Sequence, residues 1–130
     1  MDNLLTISYD PVSLIQRTKS GISKAELALL QDEIKLTNDE MADALQISTR
    51  ALLNYKDADI LKQRISEKLL SLAQLYARGF EVMGKERFLR WMDQELIIFN
   101  NKKAKSLLDT HFGIQILVNE LGRIEYGVLA

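Results

Sequence analysis

Apolar residues recur at spacings of three and four along most of this chain, the period of helices with one face turned inward. Asp10 followed by Pro11 has the character of a cap and a first-turn residue, and Gly21 stops the short helix that this pair opens over Pro11 to Lys19. Ser23-x-x-Glu26 reads as a capping box ahead of a helix carrying Leu27, Leu30 and Ile34. A second box, Thr37-x-x-Glu40, opens a helix with Met41, Ala42 and Leu45 on one face. Only Gln46 and Ile47 intervene before Ser48 caps a further helix, expected to run to about Lys56 with Ala51, Leu52 and Tyr55 on its inner side. From Ile60 to Met83 the positions Leu61, Ile65, Leu69, Leu72, Ala73, Tyr76 and Phe80 predict one or two long packed helices, ended by Gly84. Phe88, Trp91 and Met92 form a heavy stripe on a helix from Lys85 to about Asp93. Leu96 to Phe99, followed by Asn100 and Asn101, reads as a hydrophobic loop or a very short strand, because Asn tolerates positive φ. A short helix is expected near Lys103 to Leu108, and Ile114, Leu117, Val118, Leu121, Ile124 and Val128 continue a helical spacing after it. The expected fold class is all-α.

Composition narrows the chemistry. The chain has 130 residues, 47% of them apolar, with one Pro, six Gly and no low-complexity tract. Its 17 basic and 18 acidic residues leave a net charge of −1, so no strong field points to a polyanion or a membrane surface. The absence of Cys removes disulfides and thiolate nucleophiles, and with His111 the only His a zinc site would consist almost wholly of carboxylates. No metal or cofactor is expected. The longest uncharged stretch, Thr110 to Asn119, is half the roughly 20 apolar residues that a spanning helix needs. The opening MDNLLTISYD carries two acidic and no basic residues, unlike a secretory signal, which makes a cytoplasmic location the expectation. No Gly-rich loop follows a strand, and no nucleophile, base and orienting group converge, so the chain is not expected to be an enzyme. Asp109 beside His111 reads as a helix N-cap next to an exposed His, and Lys102, Lys103 and Lys105 as a solvated helix face.

The most informative constellation is the pair of short helices within Asn38 to Asp57. Two helices joined by a tight turn, the second capped by Ser, form the helix-turn-helix arrangement. Met41, Leu45, Ile47, Leu52 and Tyr55 are placed inward, with small Ala42 where the helices cross. Ser48, Thr49, Arg50, Leu53, Asn54 and Asp57 are left outside. In DNA-binding proteins of this kind the N-terminal residues of the second helix meet base edges in the major groove. The candidate DNA contacts are therefore Ser48, Thr49, Arg50 and Asn54, with Arg50 suited to a guanine and Asn54 to an adenine. A helix hairpin used only for packing or dimerisation has the same local pattern. Charge favours the second alternative for a single copy: residues 1–65 hold 8 basic and 10 acidic residues, and phosphate neutralisation by Lys and Arg supplies most non-specific affinity. DNA binding would need a homodimer or a larger complex.

QISTRALLNYK resembles the recognition helix of Xre-like antitoxins, and ISEKLLSLAQLYARGFEVMGKERFLRWM is similar to their linking helix and the start of their toxin-binding domain. SLLDTHFGIQILVNELGRIEYGVLA is similar to the last segment of that domain, the region shared by Xre, MbcA and ParS antitoxins. The resemblance implies an Xre-like helix-turn-helix region fused to a small helical toxin-binding domain, divided near residue 60 into 1–60 and 61–130. It also implies an antitoxin that binds and neutralises a RES-domain toxin, an NAD-consuming enzyme, and autoregulates its operon by binding operator DNA. Where relatives usually carry Pro-Asn and a Gly-Gly turn followed by Pro, this chain has Glu95-Leu96, Asn100-Asn101 and Ala104, and Gln46 stands in place of the usual turn Gly. The alternative is a free-standing helix-turn-helix transcription regulator whose C-terminal half dimerises or senses a ligand.

In the last helix, Leu117, Leu121, Ile124 and Val128 are expected to bury, leaving Arg123, Tyr126, Leu129 and Ala130 as the candidate toxin-binding residues. An Arg and a Tyr flanked by apolar positions are suited to anchoring a partly apolar interface. Trp91 is read as a core residue in the first instance, and as an interface anchor in the second.

Overall fold

The computed structural model describes residues 3–7 and 9–127. Among these, seven α-helices follow in chain order: α1 (Pro11–Ser20), α2 (Lys24–Ile34), α3 (Asn38–Leu45), α4 (Thr49–Asn54), α5 (Gln63–Met83), α6 (Lys85–Asp93) and α7 (His111–Gly127). A two-residue antiparallel hairpin, β1 (Glu95–Leu96) and β2 (Lys102–Lys103), is the small exception to an all-α fold. No helix of the described residues is long and apolar enough to cross a membrane.

The helix starts follow from local chemistry. The Asp10 carboxylate accepts the Ser13 N–H at 3.0 Å, with Pro11 in the first turn where its missing N–H costs nothing. Both capping boxes close: the Ser23 and Thr37 hydroxyls accept the Glu26 and Glu40 N–H groups, and each Glu returns to the cap backbone. Glu26 has a further part, because its other oxygen pairs with Arg17 of α1 at 2.6 Å.

Two compact units divide inside α5, between Gln74 and Leu75. In the first, Ile22, Leu27, Leu30, Ile34, Met41, Leu45, Leu52, Leu61, Ile65 and Leu69 are buried. Fully buried Ser66 accepts the Ile22 N–H at 3.0 Å and donates to the Leu61 carbonyl at 3.3 Å, which ties the start of α5 to the strand-like segment before α2. The chain after α4 runs back along the start of α2, with Lys24 and Ala25 N–H groups donating to the Asp59 and Asp57 carbonyls.

In the second unit an aromatic cluster organises the interior. Phe88 is fully buried and meets Tyr76 edge-on at 5.3 Å, Phe80 edge-on at 6.0 Å and Trp91 stacked at 5.7 Å. Gly79 allows this, since a Cβ there would lie 2.4–2.5 Å from three carbons of the Phe88 ring. Trp91 is only half-buried, and its other neighbour is Phe99 at 6.0 Å.

The structure corrects several expectations of detail. The helix α4 ends at Asn54, because Tyr55 turns to extended backbone (φ −67°, ψ 138°), and Ala51 is exposed instead of inward. The expected helix near Lys103 to Leu108 is a strand followed by a 3-10 turn over Ala104–Leu107. Lys102 and Lys103 therefore belong to the hairpin, and Lys105 pairs with Asp93 at 2.5 Å instead of lying on a solvated helix face. Asn100 and Asn101 adopt φ of 55° and 60°, as the turn chemistry suggested. The cap of α7 is the hydroxyl of Thr110, which accepts the Gly113 N–H at 2.9 Å; Asp109 lies one residue outside that position. Val128, expected in the core, lies outside the described residues.

Candidate functional site

The two short helices α3 and α4 meet through a three-residue turn that the sequence makes costly. Gln46 sits at φ 59°, ψ 43°, a left-handed conformation that favours glycine and that a residue with a Cβ adopts at a cost of about 1 kcal/mol. Its N–H reaches the Ala42 and Asp43 carbonyls and its amide donates to the Asp43 carbonyl at 2.8 Å, so these two carbonyls in the last turns of α3 are satisfied. Ser48 then caps α4 by accepting the Ala51 N–H at 3.0 Å. At the other end, the Lys24 ammonium donates to the Leu52 carbonyl at 2.9 Å, a favourable place for a cation near a helix C-terminus. Nothing in the local pattern of α4 signals this partner, which comes from α2.

The four candidate DNA contacts divide into two kinds. The hydroxyls of Ser48 and Thr49 are both engaged, that of Ser48 in the cap and that of half-buried Thr49 with the Asp39 carboxylate at 2.7 Å. Arg50 and Asn54 are exposed and stand four residues apart, on one face of α4. Their surroundings are acidic: between Asn38 and Asp59 the chain has five carboxylates against Arg50 and Lys56.

In the second unit α7 supplies the other candidate residues. Its inward side holds Gly113, Leu117 and Leu121, all buried. Gly113 is required by close packing, since a Cβ there would come within 2.0 Å of the Leu107 carbonyl oxygen. Arg123 and Tyr126 are exposed and, with Glu120, Ile124 and Gly127, line a shallow depression at the end of the helix. The Arg123 guanidinium pairs with Glu120 at 3.2 Å, one turn back. On another side of α7, Glu125 accepts from Arg78 at 2.8 Å, and this hydrogen bond holds the guanidinium still more firmly protonated. Leu129 and Ala130 lie outside the described residues.

Two features of these surfaces escaped the reading of the sequence. Phe112 and Ile116 of α7 are exposed, as are Ile97 and Ile98 in the hairpin loop. The signal for Phe112 and Ile116 was present in the uncharged run Thr110 to Asn119, which the sequence presents only as too short for a membrane span; that for Ile97 and Ile98 lay in the hydrophobic segment Leu96 to Phe99. Among the described residues no group of His, Asp and Glu is placed to hold a metal ion.

No curated protein matches the chain. A family model does, over less than half of the chain: residues 78–127, from the latter part of α5 to the end of α7, match the antitoxin Xre/MbcA/ParS C-terminal toxin-binding domain.

Proposed function

We propose, from the premise that residues 78–127 form an antitoxin's toxin-binding domain, that this chain neutralises a RES-domain, NAD-consuming toxin by binding it and represses its own operon through α3 and α4. The family match carries the toxin half of this reading. Inhibition is stoichiometric occlusion: a folded surface covers the toxin's NAD pocket, and the antitoxin itself performs no chemistry. Arg123 and Tyr126, exposed at the end of α7, are the described residues assigned to that contact, with Leu129 and Ala130 following them in sequence. Guanidinium and phenol groups combine apolar area with directed hydrogen bonds, which is why they are enriched where binding energy concentrates.

The DNA half rests on Arg50 and Asn54 sharing the outer face of α4. With the Ser48 and Thr49 hydroxyls already engaged, side-chain base contact falls to Arg50 and Asn54, and Ser48 and Thr49 contribute by positioning the helix end. One acidic unit of this kind supplies little phosphate neutralisation. Operator affinity therefore comes from two or more copies, in a homodimer or a complex with toxin, each α4 meeting one half-site about one DNA turn from the next.

Coexpression with a RES-domain toxin tests the first half. The full chain restores growth and cellular NAD, and a deletion of residues 126–130 that keeps its helical circular dichroism no longer does. A folded deletion that still protects removes the end of α7 from the contact. A full chain that binds operator DNA yet neither binds nor silences the toxin returns the protein to the class of free-standing regulators.

A further inference from the structure

We propose that the outer face of α7, carried by Phe112, Ile116, Asn119, Arg123 and Tyr126, seats in an apolar groove of the toxin. The assignment rests on the toxin-binding reading above and deepens it by naming the face and the chemistry of its partner.

The helix carries two stripes. Gly113, Leu117, Leu121 and half-buried Ile124 form the inward one. The outer one runs at alternating spacings of four and three, from Phe112 through Ile116, Asn119 and Arg123 to Tyr126, all exposed. At about 100° per residue these five fall within a sector of roughly 80°, and at 1.5 Å per residue they span about 21 Å. Spacing of this kind is what a single groove on a partner reads.

A helix that serves only to close its own core has charged and polar residues on its solvent side. In α7 that side is apolar where the pattern calls for charge. Phe112 is 80% exposed and Ile116 48%, and Val118 on the flank is also exposed. The Phe112 ring meets the His111 imidazole at 5.8 Å, a contact that leaves most of its surface in water. No Asp, Glu, Lys or Arg occurs between Thr110 and Asn119, so beyond the His111 imidazole at the helix start the exposed half of these turns presents apolar and amide groups. Charge returns at the C-terminal end, where Arg123 pairs with Glu120 beside Tyr126. An uncharged apolar centre with an Arg and a Tyr at its border is the anatomy of a protein interface, in which charge is depleted at the core and both residue types are enriched. The whole stripe lies inside the residues that match a toxin-binding domain. Its occupant is therefore a folded protein offering an apolar groove about 20 Å long, with a carboxylate or carbonyl acceptor at the end that receives Arg123 and Tyr126.

The test uses the full chain and purified RES-domain toxin, titrated calorimetrically. Wild type is compared with Phe112→Ser/Ile116→Ser, with the single variant Phe112→Ser, and with Val12→Ser, a control at an exposed apolar position on α1. The double variant is expected to bind on the order of a hundredfold more weakly, and the single variant about tenfold, at unchanged melting temperature. Val12→Ser binds as wild type does. Wild type that binds toxin together with a double variant that binds equally well leaves the toxin reading standing and overturns this face. Wild type that does not bind the toxin overturns both. Sedimentation showing that wild type self-associates through this face, with association lost in the double variant and toxin affinity intact, assigns the groove to a second copy of the chain and also overturns the proposal.

Discussion

Replacing Gly79 with alanine places a methyl group over the face of the Phe88 ring, at 2.4 Å from Cζ and 2.5 Å from both Cε atoms. Carbon atoms in contact normally sit 3.5–4.0 Å apart, so the ring or the helix must move by about 1 Å. The ring has little room to do so, because Tyr76, Phe80 and Trp91 surround it at 5.3–6.0 Å between centroids. Overpacking of this kind costs about 1–3 kcal/mol, and the confinement places this case at the upper end. Alanine in place of glycine within a helix returns about 1 kcal/mol. The balance is a loss of about 1–2 kcal/mol, or a fall in melting temperature of roughly 4–8 °C for a chain of this size. The only Trp, Trp91, is stacked on Phe88 at 5.7 Å, so its fluorescence follows the affected cluster directly during urea or thermal unfolding. Adding Phe88→Leu to Gly79→Ala removes the ring atoms that clash, and the two changes together are expected to cost less than their sum. A Gly79→Ala variant as stable as wild type, or a pair that is simply additive, refutes the packing argument.

Three further expectations follow from other parts of the chain. Gln46→Gly relieves the left-handed turn between α3 and α4 and raises stability by about 0.5–1 kcal/mol in urea unfolding; a loss of stability would show that the Gln46 amide contact with Asp43 matters more than backbone strain. Tyr9 donates its hydroxyl to the Leu4 carbonyl and burial raises its pKa, so the neutral phenol is favoured in the folded chain. Its contribution is complete below the ordinary phenol pKa of about 10 and is lost as pH rises beyond it; Tyr9→Phe removes this alkaline loss, and an unchanged stability profile from pH 9 to 12 would contradict the linkage. Arg50→Ala, titrated by mobility shift on DNA upstream of the operon, costs on the order of 1–3 kcal/mol and relaxes preference at one base pair, whereas equal binding by both forms removes base readout by α4.

Much of this fold is legible in the sequence because much of it is local. Asp10 with Pro11, Ser23 with Glu26, Thr37 with Glu40, and Ser48 with Ala51 are contacts over three residues or fewer, made as each helix begins, so their residue types announce the helix starts without knowledge of the rest of the chain. The inward stripes of α3, α5 and α7 are legible for a related reason, since a helix that buries one face must repeat its apolar residues at the helical period. The exposure of Arg50, Asn54, Arg123 and Tyr126 follows from the same periodicity, read on the opposite side.

Tertiary structure decided what depends on a partner distant in sequence or on very few residues. The cap on the end of α4 comes from Lys24, twenty-eight residues before Leu52, and no local pattern announces it. The hairpin pairs only Glu95 with Lys103 and Leu96 with Lys102, too short for a strand period to show, so the three lysines around it read as a helix face until Asp93 and the 3-10 turn claim Lys105. Gly79 and Gly113 look like tolerated interruptions in helical sequences; the Phe88 ring and the Leu107 carbonyl make them requirements. On α7 apolar residues occur on both sides, so the periodicity that places Leu117 and Leu121 inward does not say whether Phe112 and Ile116 find cover as well. The packing of Gly113, Leu117 and Leu121 inward settles that question and leaves Phe112 and Ile116 in water, because one helix can turn only one of its faces toward its own core.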